Sequence, residues 1–291
     1  MRILMTGATG FIGSNLLNTL LGSHEVGILI RPNSKVNSNA TNHAATGYVY
    51  DGNLDSILDA FDSFKPDAVI HLASYYVFDH KPEEIDILLE SNLKIGTYLL
   101  EAMKLKGVKY FINTGTSFEH FGKEEREVVN LYAATKQAFG NLCKYYCDAG
   151  YIKAVTIKLF DTYGENDPRK KLLSLLKENL KTKKELLLSP GEQIIDIVHV
   201  NDVVNAFQMV LDKMPNYKES YLEFGLSNNQ RCSLKDLVSL VEKVAGEKTN
   251  IKWGARPYRD REVMNPWKNF TPPPGWKPQI TLEEGIRRFL A

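Results

Sequence analysis

Cysteine is scarce in this chain. Cys143, Cys147 and Cys232 are the only three in 291 residues, which suits a reducing compartment and excludes a disulfide framework. Cys143 and Cys147 stand four residues apart without a companion His or Cys pair, so no metal site is expected. Charge of one sign is lacking as well. With 36 basic and 35 acidic residues the net charge is +1, and neither nucleic acid nor an anionic membrane is indicated as a bulk electrostatic partner. No apolar run approaches the roughly eighteen residues of a membrane span. The first strand signal begins almost at Met1, which leaves no room for a signal peptide and points to a soluble, cytoplasmic protein. Internal repeats and low-complexity segments are absent too. The length suits two domains, or one large α/β domain with an appendage.

What is present is concentrated at the start. Ile3, Leu4 and Met5 form a short apolar run that reads as a buried strand. Gly7, Gly10 and Gly13 follow at spacing three, and Leu16, Leu17, Leu20 and Leu21 then recur at helical spacing. Strand, glycine bend and helix make the first half of a βαβ unit. Such a bend lets a phosphate approach the backbone, and the helix aims its free N–H groups and positive dipole end at a dinucleotide pyrophosphate. The spacing is G-x-x-G-x-x-G rather than the commoner G-x-G-x-x-G.

Further strands follow at Val26–Ile30, Tyr48–Tyr50, Pro66–Ser74, Val108–Asn113 and Val155–Phe160. The second ends in Arg31, followed by Ser34 and Lys35, where an NAD-preferring unit places an acidic residue on the ribose. A guanidinium is the planar partner of a 2′-phosphate, so Arg31 favours NADP(H) over NAD(H); the competing reading is a solvated loop arginine. His71 lies inside an apolar run and reads as a packed, hydrogen-bonded core residue. Asn92, a weak helix former in the middle of a helical pattern, needs a hydrogen-bonding reason. Tyr132 and Lys136 share one face of a helix at i, i+4, with Ser117 fifteen residues upstream behind Thr114-Gly115-Thr116. A phenol with an ordinary pKa near 10 needs a neighbouring cation to work as an acid or base at neutral pH, and Lys136 supplies one.

Four stretches carry a family resemblance: Thr6-Gly-Ala-Thr-Gly-Phe-Ile-Gly13, Asp67-Ala-Val-Ile-His-Leu-Ala-Ser74, Tyr132-Ala-Ala-Thr-Lys136 and Asp196-Ile-Val-His-Val-Asn-Asp202. With Asn92–Glu101, Tyr221–Gly225 and Gly275-Trp-Lys-Pro278 they resemble the extended short-chain dehydrogenase/reductases, the NAD-dependent epimerase/dehydratase family. The resemblance implies an α/β fold, a Rossmann-type doubly wound parallel sheet with a smaller α/β C-terminal substrate-binding domain. It assigns 1–163 plus about 192–224 to the dinucleotide domain, and 164–191 plus about 225–291 to the substrate domain. It places Ser117, Tyr132 and Lys136 in the triad, with Thr116 as the fallback for the serine, whose register is set by Phe121-Gly122. Implied cofactor contacts are Gly7, Thr9, Gly10, Phe11, Ile12, Arg31, Ser34, Lys35, Asp51, Gly52, Leu72, Ala73, Ser74, Asn92, Thr114, Leu159 and Thr162, besides Tyr132 and Lys136. On the substrate side stand Tyr75, Ser117, Phe118, Glu119, Asp161, Lys170, Lys171 and Arg256, with Arg259 the first choice among the late arginines. For Arg169, Lys170 and Lys171, approach to a substrate diphosphate and a merely solvated basic face are both open. Asp161 stands where the family usually has Asn, and beside a diphosphate it would be repulsive. The resemblance also implies a homodimer.

The implied chemistry is hydride transfer at a carbon–oxygen bond of a nucleotide-sugar. The family's 4,6-dehydratases carry Thr-Asp-Glu where this chain has Ser117-Phe118-Glu119, so the elimination acid is missing. Its 4-epimerases retain NAD, against which Arg31 argues. The segments 115–121 and 158–164 resemble most the nucleotide-sugar 4-ketoreductases of the abequose/paratose synthase type. The expectation is an NADPH-dependent reductase of a nucleotide-linked 4-keto-6-deoxyhexose or dideoxyhexose, acting in deoxysugar biosynthesis. The alternatives are a 4-epimerase with tightly bound NAD and a non-catalytic NADP-binding sensor.

Overall fold

The computed structural model describes residues 1–32, 34, 45–121 and 127–291. Seven strands build one sheet: β1 (Arg2–Thr6), β2 (Glu25–Ile30), β3 (Ala45–Val49), β4 (Ala68–His71), β5 (Tyr110–Thr116), β6 (Lys153–Leu159) and, late in the chain, β11 (Tyr221–Leu226). Their order is β3-β2-β1-β4-β5-β6-β11, and every pairing is parallel. The order reverses between β1 and β4. Ligands bind an open α/β sheet beyond the carboxyl ends of its strands at such a switch point.

Alternation along the strands sends successive side chains to opposite faces. Ile3, Met5, Val26, Ile28, Ile70, Ile112, Val155 and Ile157 pack on one side, under α1 (Phe11–Leu20) and the later helix Val200–Lys213. Leu4, Leu29, Val69, Phe111 and Ala154 pack on the other, under α2 (Leu54–Phe64) and the helices Ile95–Lys106 and Leu131–Asp148. Helices on both faces of a parallel sheet are the doubly wound Rossmann arrangement. One rank of the sheet is polar. Thr6, His71, Asn113, Thr156 and Glu223 stand opposite one another on five neighbouring strands. Thr6 Oγ1 lies 2.8 Å from His71 Nδ1, Asn113 donates to Thr156 Oγ1 at 3.1 Å, and Tyr221, hydrogen-bonded to Thr156, donates to Glu223 at 2.8 Å.

The remaining helices, in chain order, are α3 (Ile85–Leu89), α4 (Ile95–Lys106), α5 (Leu131–Asp148), α6 (Leu172–Thr182), α7 (Val200–Lys213), α8 (Leu234–Ala245) and α9 (Leu282–Leu290). A third apolar cluster joins Leu173, Leu176 and Leu180 of α6 to Leu237 and Val241 of α8 and Ile286 and Phe289 of α9. Three short strand pairs flank it: β7 (Asp161–Tyr163) with β10 (Ile197–His199), β8 (Leu186–Leu187) with β13 (Ile251–Lys252), and β9 (Ile194–Ile195) with β12 (Cys232–Ser233). The stretch Ile194–Asp202 does not run as one strand. Asp196 is buried and bound by Ser227, Arg231 and the Asn228 amide, which pulls the chain out of line. His199 then caps α7, its ring accepting from the Asn201 amide. Among the described residues no helix is long and apolar enough to cross a membrane.

Candidate active site

The glycine bend lies at the carboxyl end of β1. Gly7 has φ +71°, a left-handed conformation that favours glycine, and a Cβ there would stand 2.6 Å from the Ala73 amide nitrogen. Gly13 costs α1 some helix propensity, but a Cβ at that position would lie 2.0 Å from the Gly7 carbonyl. The bend therefore closes only with glycine at both places. No side chain caps the N-terminus of α1, and its first turn holds no acidic residue. Free N–H groups and a positive dipole end are thus left for an anion, which fits the dinucleotide pyrophosphate. Thr9 and Gly10 are exposed on the turn, Ile12 is half-buried and Phe11 is buried. Arg169 lies over the Phe11 ring at 4.6 Å, fixed by Asp167 and the Thr162 carbonyl. It belongs with the glycine bend, and a direct role on a substrate diphosphate has no support from this placement.

On the adenosine side, Arg31 is exposed just beyond β2, and the Ser34 amide donates to its carbonyl. Asp51 is exposed and Gly52 half-buried; the Asp51 carboxylate accepts from the Asn53 amide, which holds its pKa below the ordinary range. Lys35 and Gly122 lie outside the described residues. Leu72, Ala73, Thr114 and Leu159 are half-buried near the carboxyl ends of β4, β5 and β6, and Thr162 is buried in β7.

Tyr132 is the second residue of α5, whose first turn is capped by the Asn130 side chain accepting from the Ala133 amide at 3.0 Å. Asn130 also donates to the Phe78 carbonyl, which ties the helix start to the loop after β4. Lys136, one turn later, is 2% exposed. Burial pushes its pKa down to about 8, with Glu119 pulling back upward. The Tyr132 phenol is pushed up, first by burial and further by the Glu119 and Asp161 carboxylates and the neighbouring Tyr76 phenol, while Ser74 pulls it down. Burial thus holds the phenol above its ordinary value in the protein alone, against the acidification expected from Lys136. The Tyr76 ring packs edge-on against Tyr132 at 4.9 Å.

Asn92 answers its hydrogen-bonding question. It is fully buried in a π-helical turn, Glu90–Lys94, at the head of α4; such turns recur at functional sites. Its Oδ1 accepts from the Ser74 hydroxyl and the Tyr75 amide, each at 2.9 Å. Its Nδ2 donates to the Tyr75 carbonyl and to Thr135 Oγ1, each at 3.0 Å, and Thr135 in turn donates to the Tyr132 carbonyl. The resemblance implies for Asn92 both a place among the cofactor contacts and hydrogen bonds to backbone near the active-site strand; the Tyr75 amide and carbonyl are that backbone, and with every polar atom engaged inside the protein Asn92 splints the β4 loop to the tyrosine helix.

Ser117 and Thr116 are both buried at the end of β5, where Thr116 Oγ1 accepts from the Phe118 amide. Glu119, expected to touch substrate, turns inward and is 2% exposed. It accepts from the Thr116 amide at 2.8 Å and pairs with Lys158 at 3.2 Å. Lys158, itself 4% exposed, also reaches Glu223 and His120 at 3.0 Å. The physical reason is that β6 presents an ammonium directly behind the turn, and an unpaired buried charge is far costlier than a paired one. His120 stacks on Trp267 at 3.9 Å.

Around the mouth, Phe118 faces Phe78, and Arg259 lies over the Phe78 ring at 4.0 Å. Arg259 is thus brought to the site, whereas Arg256 is exposed after β13, its amide on the Leu188 carbonyl. Lys171 pairs with Asp161, which offsets the repulsion expected from that carboxylate, and Lys170 is exposed. The Tyr75 hydroxyl donates to Glu84 at 2.7 Å. Sequence reasoning missed Tyr76, Phe78, Arg231 and Arg261. Arg261 grips the Val128 and Val129 carbonyls and Glu127 just before α5, and stacks on Phe121 at 4.3 Å. Its partners lie more than a hundred residues away in the chain, a distance no local pattern spans.

Residues 3–221 match the NAD dependent epimerase/dehydratase family. The chain is 25% identical to a CDP-abequose synthase of Salmonella muenchen, with 100% of this chain and 97% of that protein covered. It is 29% identical to a CDP-abequose synthase of Yersinia pseudotuberculosis, covering 91% and 92%. The structure superposes on the crystal structure of a Thermus thermophilus UDP-glucose 4-epimerase in complex with NAD, with a TM-score of 0.83 and 23% identity, covering 100% of this chain and 98% of that one.

Proposed function

The chain belongs to the NAD dependent epimerase/dehydratase family, and from that premise we propose that it is an NADPH-dependent reductase of a nucleotide-linked 4-keto-deoxyhexose. The observation that carries the reading is the condition of the Ser117-Phe118-Glu119 turn. An elimination needs a second acid–base pair beside the tyrosine, but Phe118 has no acid and Glu119 is committed to Lys158 and the Thr116 amide. Tyr132 remains as the proton donor, which suits simple carbonyl reduction. Full-length similarity to the CDP-abequose synthases supports a deoxysugar substrate.

The Gly7–Gly13 bend and the uncapped start of α1 would hold the dinucleotide, whose nicotinamide would supply a hydride for the C4 carbonyl carbon. Tyr132 gives its proton to the oxygen as the alkoxide develops, and Ser117 donates a hydrogen bond to the same oxygen. Lys136 contributes its positive charge from one turn below. A phenol is protonated at neutral pH, as a general acid must be, and the Lys136 charge favours the phenolate that forms as the proton leaves. Residues 1–163 with about 192–224 form the dinucleotide half in this reading, and the α6, α8 and α9 cluster belongs to the sugar-nucleotide half. Arg31 supports NADPH through its exposed guanidinium at the end of β2.

One observation favours a second reading. The epimerase whose fold this chain shares holds NAD, and an epimerase would use the same tyrosine in both directions. The two separate cleanly. The reductase consumes NADPH stoichiometrically with a CDP-linked 4-keto-dideoxyhexose, and Tyr132→Phe lowers that turnover by about 10²–10⁴-fold while NADPH still binds. An enzyme that carries NAD as purified and interconverts a sugar without added reductant would be the epimerase. Thermal-shift measurements with CDP, dTDP, GDP and UDP in the presence of NADPH identify the base.

A further inference from the structure

Between the Ser117 turn and the tyrosine helix, the chain is held by a group from far along the sequence. The Val129 amide donates to the Phe118 carbonyl at 3.0 Å, which ties the approach to α5 back onto the serine turn. Asn130 comes next, capping α5 and donating to the Phe78 carbonyl at 3.0 Å. Tyr132 follows two residues later. In the same short stretch the Val128 and Val129 carbonyls accept from one side chain. Arg261 reaches Val129 through Nε at 3.0 Å and Val128 through Nη2 at 2.8 Å. Its guanidinium also lies over the Phe121 ring at 4.3 Å and meets Glu127 at 3.1 Å. The Glu127 pair is 45% and 38% exposed and contributes little by itself. The backbone contacts differ in kind. A guanidinium is a rigid planar fork, so carbonyls received on it are fixed relative to each other and to the ring beneath.

We propose that Arg261 is a positioning residue that acts through Tyr132, setting the start of α5 against the Ser117 turn so that phenol and serine hydroxyl reach one substrate oxygen. The proposal rests on Tyr132 and Ser117 being the pair of the reaction. The C-terminal segment holds this junction at two points. Arg261 takes the Val128 and Val129 carbonyls, and Arg259 lies over the ring of Phe78, whose own carbonyl holds Asn130. The segment is anchored in turn beside β9, where the Met264 carbonyl accepts from the Ile194 amide. The C-terminal half thus acts on the tyrosine through backbone. Misplacing a reacting group by about 1 Å costs about 10²-fold in rate, and the junction is where such a displacement would begin.

The test compares wild type, Arg261→Ala, Arg261→Lys and Glu127→Gln in NADPH oxidation with a CDP-linked 4-keto-dideoxyhexose. Arg261→Ala should lose about 10²-fold in kcat with both KM values unchanged. Arg261→Lys keeps the charge without the fork and should fall with the alanine variant. Glu127→Gln should match wild type. Because the Arg261 side chain is 45% exposed, millimolar methylguanidinium can enter the place it vacates and should restore turnover to Arg261→Ala, while methylammonium should not. An unchanged kcat, a loss confined to KM, a Glu127→Gln variant as damaged as Arg261→Ala, or equal rescue by the two cations would overturn the proposal. The same proteins are read without sugar by fluorine NMR after labelling with 3-fluorotyrosine, the Tyr132 line being identified by its loss in Tyr132→Phe. That line should move in Arg261→Ala and return with methylguanidinium; a line that stays in place refutes the proposal. A wild type that does not oxidise NADPH would sink the reductase reading alone, and the fluorine line then decides for Arg261. Should Arg261→Ala not fold, Arg261→Lys carries the comparison of kcat and of line position.

Discussion

Lys158→Met isolates the buried ion pair behind the Ser117 turn. Methionine keeps the length of the stem and removes the ammonium. Glu119 is then left 2% exposed with the Thr116 amide as its remaining polar contact named above; Glu223, 41% exposed, can turn to water. Breaking a buried pair from one side costs about 3–5 kcal/mol. At about 2–3 °C per kcal/mol for a chain of this length, the melting midpoint should fall by roughly 6–15 °C at neutral pH. The pH dependence is diagnostic. Burial already pushes the Glu119 carboxyl above its ordinary value, and loss of Lys158 pushes it further. An acid with a raised folded pKa binds more protons folded than unfolded. Stability is then lost as pH rises from the ordinary carboxylate value, about 4.3, through the folded one. The deficit of Lys158→Met should therefore be small near pH 4–5 and full by neutrality. Thermal melts of wild type, Lys158→Met and the double variant Glu119→Gln/Lys158→Met across that range check it. The double variant should recover most of the loss at neutral pH. An equal deficit at about pH 5 and pH 8, or a double variant no better than the single, would refute the buried-pair account.

Gly13→Ala drives a methyl against the Gly7 carbonyl; a lowered melting midpoint and at least tenfold weaker dinucleotide binding are expected by calorimetry, and unchanged binding would show that the bend can give. Arg31→Asp should shift the NADPH to NADH affinity ratio about tenfold or more toward NADH, read by fluorescence titration, and an unchanged ratio would remove the charge argument for NADPH. Asn92→Ala strands the Tyr75 carbonyl and amide at about 1–3 kcal/mol for each group left unsatisfied, so urea denaturation should show a loss of that size; wild-type stability would mean that the splint described above carries no load.

The parts legible in the sequence are those in which a few neighbouring residues carry the whole pattern. Gly7, Gly10 and Gly13 announce the bend because each is needed within one turn of chain. Tyr132 and Lys136 announce themselves because one helical turn sets their spacing. The β1 alternation of Ile3, Leu4 and Met5 foretells a strand buried on both sides. What stayed hidden depends on partners far along the chain. Glu119 looked like a substrate contact because nothing local reveals Lys158 behind it, and for Asn92 the sequence shows that a hydrogen-bonding reason is needed but not that Ser74, Tyr75 and Thr135 converge on it after folding. The phenol of Tyr132 was expected to be acidified, but its degree of burial is a property of the whole packing around α5. Arg231 and Arg261 act on groups brought near only by the closing of the C-terminal segment.

The polar rank across the sheet has a consequence for how the strands find their alignment. Moving one strand along its neighbour by two residues would leave every side chain on its proper face, and hydrocarbon alone would hardly notice. Thr6, His71, Asn113 and Thr156 would notice, because each would lose its opposite number in a place that water does not reach. They work as the graduations of a ruler laid across the molecule. The same marks that align β1 with β4, and β5 with β6 and β11, thereby fix where the carboxyl ends of those strands stop beside one another.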